Sequence, residues 1–184
     1  QSTTDVGKLV DAGMLNRGCA EIFRSDPGDD PPRGVPLSLY KHQEFAIATA
    51  TAGDSFVVTT GTGSGKSLCF FIPIINAVLA EKQRNSQRRT RAIVIYPMNA
   101  LANSQLEELK KFLGSDPAAR AVTFGRYTGQ ESEEERQAMA ARPPDILLTN
   151  FMMLELLMTR QNDIDKAVMR NAKGLRFLVL DELH

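Results

Sequence analysis

Short, unbroken apolar runs alternate along this chain with longer stretches in which apolar positions recur every three or four residues. The short runs are Phe56-Val57-Val58 and the segments 92–96 (AIVIY), 146–148 (ILL) and 177–180 (FLVL). They lack the polar alternation of a half-exposed strand, as strands buried on both faces of a parallel sheet do. The 3.6-residue rhythm between them predicts helices. The elements expected are a helix over 39–52, a strand over 55–59, a glycine-rich loop over 61–65 and a helix from 66 to about 79. A strand over 92–96, a helix over 99–113, a strand over 121–127 and a helix over 131–141 follow. The last are a strand over 145–148, a helix over 151–158 and a strand over 175–180. Such alternation predicts an α/β domain with a mostly parallel sheet. Upstream, 6–23 reads as one helix despite Gly13 and Gly18. The segment 25–36 reads as a loop, marked by Pro27, Gly28, Pro31, Pro32, Gly34 and Pro36. The expected division is a helix and Pro/Gly-rich linker over 1–36, then the α/β domain over 37–184.

Composition narrows this picture little. The 184 residues suffice for one sizeable core, and 42% hydrophobic with 24% charged residues is ordinary for a globular domain. No apolar run approaches the roughly 20 residues of a membrane span. The polar start, Gln1 to Asp5, is unlike a secretory leader. Two distant cysteines, Cys19 and Cys69, argue against a disulfide framework or a zinc site, and a reducing cytoplasm fits. A formal net charge of zero disfavours an autonomous nucleic-acid binder. It leaves room for a domain that meets phosphates through amides and hydroxyls. The basic stretch 81–91 reads as a solvated loop, and the acidic run 131–135 as carboxylates favouring a helix start. Met152, Met153 and Met158 read as core, Cys69 as a small buried residue and His42 as a helix-surface residue.

Two segments carry chemistry. Residues 59–67 read TTGTGSGKS, after an apolar run and before a helix, which is the setting of a phosphate-binding loop. There the backbone amides of Thr62, Gly63, Ser64 and Gly65 would turn toward nucleotide phosphates, aided by the helix N-terminus. Lys66 would reach the β- and γ-phosphates, and the Ser67 hydroxyl would ligate Mg²⁺. The strict pattern asks for glycine where Thr60 stands. At the other end, 177–184 (FLVLDELH) brings two carboxylates to a strand tip, the edge at which open α/β sheets bind ligands. Asp181 is suited to Mg²⁺ and Glu182 to a general base acting on water. Alone, an Asp-Glu pair is an ordinary polar loop. Following a phosphate loop in this order, it is the second half of an NTP site.

In this order, 61–67 and the DELH box resemble the nucleotide motifs of DEAD/DEAH-type superfamily 2 helicases, and the resemblance runs from about 39 to 184. It implies the first RecA-like domain of an ATP- and Mg²⁺-dependent motor. Residues 39–43 (LYKHQ) resemble the family's glutamine element. Gln43 would then read the adenine edge and Tyr40 would cover the base; a surface glutamine at a helix start is the plainer alternative. Residues 96–105 (YPMNALANSQ) resemble the first nucleic-acid motif and put Pro97 and Asn99 near a backbone phosphate, although both also suit a helix start with no ligand. Thr128 and Gly129 resemble the next motif, with hydroxyl and amide meeting the following phosphate, and Thr149-Asn150 the third. The wording is similar to large bacterial DNA helicases of genome maintenance and of DISARM-type phage defence.

The resemblance implies DNA more than RNA as the track, and a second RecA-like domain supplying arginines. It also allows subunits of a defence or repair complex as partners. Nothing of that second domain follows His184, so a truncated sheet and weak activity of this segment alone are expected. Two rivals stand beside the helicase reading: a duplex-DNA translocase in a restriction or remodelling machine, and a regulatory nucleotide-binding module without motor activity.

Overall fold

A computed structural model describes residues 4–25, 34–61, 63, 65–113 and 120–182. They form two compact units, one of 1–85 with 111–121 and the other of 86–110 with 122–184.

The second unit holds the sheet. Its strands are β1 (Ala92–Tyr96), β2 (Phe124–Tyr127), β3 (Ile146–Asn150) and β4 (Phe177–Leu180), all parallel, in the order β2-β3-β1-β4. Every residue of β1 and β3 is buried, which is why their runs show no alternation. β4, at one edge, alternates half-buried and exposed positions. Helix α5 (Asn99–Leu113) follows β1, and α6 (Glu133–Ala141) links β2 to β3. Helices α7 (Phe151–Thr159) and α8 (Asp163–Asn171) link β3 to β4. Strands β1, β2 and β3 and helices α7 and α8 share a core of Ile93, Ile95, Tyr127, Leu147, Met153, Leu157 and Val168, with Met139 and Ala140 of α6 packed against it. Within it the Tyr127 hydroxyl donates to Asp165, whose backbone amide is held by the Asn162 side chain that caps α8. No element was expected over 163–171. The signal is present in the sequence nonetheless: Ile164, Ala167 and Val168 recur at helical spacing behind the Asn162 cap.

Several expectations need correction here. The basic stretch does not form one solvated loop. Helix α4 (Lys66–Arg84) extends into it, and Arg91 is 1% exposed at the foot of β1. Ala92 lies opposite Ile146 in the sheet, so the residues before them, Arg91 and Asp145, are brought level. Their side chains form an ion pair at 2.7 Å. Asp145 also accepts from the Thr123 amide and hydroxyl, each at 2.8 Å. Of the three methionines expected in the core, Met153 is buried, whereas Met152 is 73% and Met158 69% exposed. The inward face of α7 is set by the i, i+4 pair Met153 and Leu157, and the other two lie off it. The strands over 121–127, 145–148 and 175–180 begin later than expected, and β3 runs on to Asn150.

The first unit is helical: α1 (Val6–Asp11), α2 (Arg17–Ile22), α3 (Lys41–Ala52) and α4. The single helix expected over 6–23 is broken. Gly13 takes a left-handed φ of 74° beyond α1, and the Asn16 side chain caps α2 through the Gly18 amide at 3.0 Å. The Asn16 amide donates to the Asn76 side chain of α4 at 2.6 Å, so the N-terminal helices join α4. The strand expected over 55–59 is absent. A strand is a pairing of backbones, and these residues have no ladder partner among the described ones; Val57 is 89% exposed. Helix α4 has consecutive buried residues from Cys69 to Ile75, the pattern of a helix apolar on every side. The expected loop over 25–36 and the DELH end fall partly outside the described residues. No helix among them is long and apolar enough to cross a membrane.

Candidate nucleotide and nucleic-acid sites

The phosphate loop leads into α4 through glycines in conformations other residues rarely adopt, with φ of 75° at Gly63 and 70° at Gly65. Gly65 is the N-cap of this 19-residue helix and no side chain caps it, so α4 presents its first amides and the positive end of its dipole. The Lys66 ammonium donates to the Thr60 carbonyl at 2.9 Å, which holds its charge across the loop. Ser67 lies in the first turn of α4. Thr62 and Ser64 lie outside the described residues.

Gln43 is tied to this loop, a contact the sequence did not reveal. It is 1% exposed; its Oε1 accepts from the Tyr40 amide at 2.8 Å, and its Nε2 donates to the Gly65 carbonyl at 2.9 Å. Both ends of the amide are engaged by protein. A Cβ at position 65 would lie 2.6 Å from that Nε2, so a side chain there would have to push the Gln43 amide aside. Tyr40 is exposed, and its ring stacks on His42 at 5.6 Å and 11°. Burial and backbone hydrogen bonding thus bring Tyr40, Gln43 and Gly65 together, with Lys66 and Ser67 next in the chain.

In the sheet-bearing unit, Asp181 follows β4, and its amide donates to the Ile95 carbonyl at 2.9 Å. Glu182 has a φ of 51°, the one positive value at a non-glycine residue among those described. Such a conformation costs about 1–3 kcal/mol and concentrates at functional sites. Tyr96 ends β1 fully buried, and its hydroxyl has no hydrogen-bond partner among the described residues. Burial first, and the Asp181 charge second, hold this phenol protonated well above its usual range. No group of three or more His, Cys, Asp or Glu among the described residues could by itself hold a metal. Ser67 in the first unit and Asp181 in the second each carry a hard oxygen donor of the kind Mg²⁺ takes.

The nucleic-acid candidates converge at the C-terminal ends of β1, β2 and β3. Asn150 ties them. Its Nδ2 donates to Asn99 Oδ1 and to the Thr128 carbonyl, and its Oδ1 accepts from the Met153 amide as the cap of α7. The Thr149 hydroxyl is buried and donates to the Tyr127 carbonyl at 2.7 Å. Pro97 is exposed beside them. Gly129 turns at a φ of 89°. The residue that sequence reasoning missed is Glu131. It was expected inside a helix; instead Ser132 caps α6 and Glu131 precedes it. Its carboxylate accepts from the Thr128 amide (2.7 Å), the Gly129 amide (2.9 Å) and the Thr128 hydroxyl (2.9 Å). It also pairs with Arg126 at 2.8 Å. Burial opposes its charge, but the Thr128 amide, Arg126 and the Thr128 hydroxyl outweigh it and hold its pKa below the usual carboxylate value. The signal that could have found it is the Ser132-x-x-Glu135 capping box, which starts the helix after Ser132 and leaves Glu131 outside it.

Residues 40–184 match the model of the DEAD/DEAH box helicase family. The chain is 37% identical over 111 residues to Druantia protein DruE of Escherichia coli, a match covering 53% of this chain and 6% of that protein. It is 31% identical over 152 residues to the uncharacterized ATP-dependent helicase YprA of Bacillus subtilis, covering 83% of this chain and 19% of YprA. Among solved structures, the Mycobacterium smegmatis helicase Lhr bound to ssDNA and AMP-PNP superposes with a TM-score of 0.67. That match is 23% identical and covers 92% of this chain and 20% of Lhr, a likeness of fold. The chain thus spans about a fifth or less of the length of these relatives.

Proposed function

The chain belongs to the DEAD/DEAH box helicase family, and on that premise we propose that it is the ATP-binding, ATP-hydrolysing RecA-like domain of a nucleic-acid motor. The observation that carries the reading is the start of α4, an uncapped helix N-terminus behind two left-handed glycines with Lys66 reaching across the loop. Triphosphate oxygens would accept from the α4 amides, and the Lys66 ammonium would leave the Thr60 carbonyl for the β- and γ-phosphates. Mg²⁺, held by Ser67 and Asp181, would neutralise charge developing on the phosphates. Glu182 would take a proton from the water that attacks the γ-phosphorus, and ADP would leave. In order and residue type these positions resemble the family's two nucleotide elements, and they lie within the residues that match its model.

Gln43 would serve the adenine once it exchanged a partner for the base, and Tyr40 would cover it. Pro97, Asn99, Thr128, Gly129, Thr149 and Asn150 would form the track for a backbone, with Asn150 and Thr149 holding the strand ends and Thr128 and Gly129 meeting phosphate. Single-stranded DNA is the proposed ligand, supported by the ssDNA in the Lhr structure. A second RecA-like domain would complete the motor, and the N-terminal segment 1–36 would be an accessory to the domain over 37–184. A part in phage defence and a place in the cytoplasm rest on the sequence reading. Calorimetry with Mg-ATP tests the nucleotide half. Binding by the wild type and its loss in Lys66→Ala is expected, and equal binding by both would contradict the role given to the loop.

A further inference from the structure

The Thr128–Gly129 turn is a cradle of anion donors, and an anion of the protein itself sits in it. Two amides, one hydroxyl and the Arg126 guanidinium surround the Glu131 carboxylate, whose side chain is 4% exposed. Two features fix the cradle independently of that carboxylate. Arg126 Nη1 donates to Asn103 Oδ1 at 2.6 Å, and the Thr128 carbonyl accepts from Asn150. Amides on a turn together with a guanidinium bind a phosphate diester as readily as a carboxylate, because both offer charged, two-pronged acceptors. The donors cannot serve both at once.

We propose that Glu131 is a resident competitor: a backbone phosphate of single-stranded nucleic acid enters the cradle by displacing its carboxylate, and Arg126 passes from Glu131 to that phosphate. The inference rests on the nucleic-acid reading above and deepens it by adding Arg126 as a phosphate ligand and Glu131 as the group that sets affinity. The two non-bridging oxygens of a phosphodiester can accept from the same four donors that the carboxylate now engages. The displaced carboxylate emerges next to Glu133, Glu134 and Glu135, the first turn of α6, and their like charge favours its return.

The test is fluorescence anisotropy with a labelled DNA oligonucleotide on four proteins: wild type, Glu131→Gln, Glu134→Gln and Thr128→Ala. Glu131→Gln removes the charged competitor and should bind about five- to tenfold tighter, since charged acceptors hold such donors about twice as strongly as neutral ones. Its slope of log affinity against log salt should steepen by up to about 0.7, the increment for one more neutralised phosphate on a single strand. Glu134→Gln removes an equal charge from an exposed neighbour and should change affinity less than twofold. Thr128→Ala should bind more weakly. If the wild type binds and Glu131→Gln binds no tighter, or tighter only as much as Glu134→Gln, the competitor role is overturned while the nucleic-acid reading stands. If neither wild type nor any variant binds, both fall. Should Glu131→Gln fail to fold, the Glu131 carboxyl ¹³C resonance of the wild type decides. It moves to the position of a solvated carboxylate on adding oligonucleotide, or its constancy overturns the proposal.

Discussion

Asn150 does two separable jobs, and truncating it should expose both. In Asn150→Ala, α7 loses its cap, the 2.7 Å bond to the Met153 amide, at a cost of about 1 kcal/mol. The Nδ2 donors to Asn99 and to the Thr128 carbonyl are lost as well. Net hydrogen bonds contribute about 0.5–1.5 kcal/mol each, and the longer of these, at 3.2 Å, falls at the low end. The expected loss is about 2–3 kcal/mol, a sizeable share of the 5–15 kcal/mol typical of a domain. Asn150→Ser restores an oxygen for the cap but not the two donors, so it should recover about 1 kcal/mol. Urea unfolding followed by circular dichroism measures both, with the m-value checked for constancy. In both variants stimulation of ATP turnover by nucleic acid should fall further than basal turnover, because the tie joins three strand ends of the proposed track. A loss below about 0.5 kcal/mol in Asn150→Ala would refute the reasoning, since neither a cap nor a buried donor would then be at stake. So would a serine variant no more stable than the alanine one.

The buried pair should behave differently from a surface one. Asp145→Ala leaves the Arg91 charge buried and should cost about 3–5 kcal/mol, whereas Arg91→Met with Asp145→Leu should recover most of it, less the bonds to Thr123. A loss below 1 kcal/mol in the single variant, by the same urea assay, would mean that water reaches the pair. Burial pushes the Cys19 thiol up to about 12 and Cys69 to about 11. A folded-state pKa raised above the ordinary value of about 8.5 adds stability that is complete below that pH and is lost as pH climbs toward the raised values. The melting temperature should therefore decline above about pH 8.5, and a thiol reagent should label neither cysteine until urea unfolds the chain. Rapid labelling of the native protein would contradict this.

The parallel sheet was legible because its central strands carry their burial on both faces in the sequence itself: AIVIY and ILL have no polar alternation to misread. Helix α5 was legible to the residue from its apolar spacing. The glycines of 61–65 announced a loop, and those at 63 and 65 take left-handed conformations in it. What escaped depends on partners distant in sequence. The run at 55–59 has a strand's composition, but composition cannot supply a neighbouring backbone. Arg91 looked solvated among four other basic residues because nothing local signals that Asp145, 54 positions away, lies beside it. Met152 and Met158 share the chemistry of Met153 but not its helical angle. At the candidate sites, residue types pointed to turns at strand ends and to the start of α4. The bond from Gln43 to Gly65 and the seat of Glu131 became visible only once strand ends and helix starts were set in space.

The central claim is that this domain couples ATP hydrolysis to nucleic acid. The direct measurement is ATP turnover by the protein with and without single-stranded DNA, duplex DNA and RNA, with Lys66→Ala in parallel. The account predicts stimulation by single-stranded DNA that the Lys66 variant lacks. Turnover indifferent to every nucleic acid would contradict it and favour a regulatory nucleotide-binding module, withdrawing the roles given to Asn99, Thr128 and Asn150.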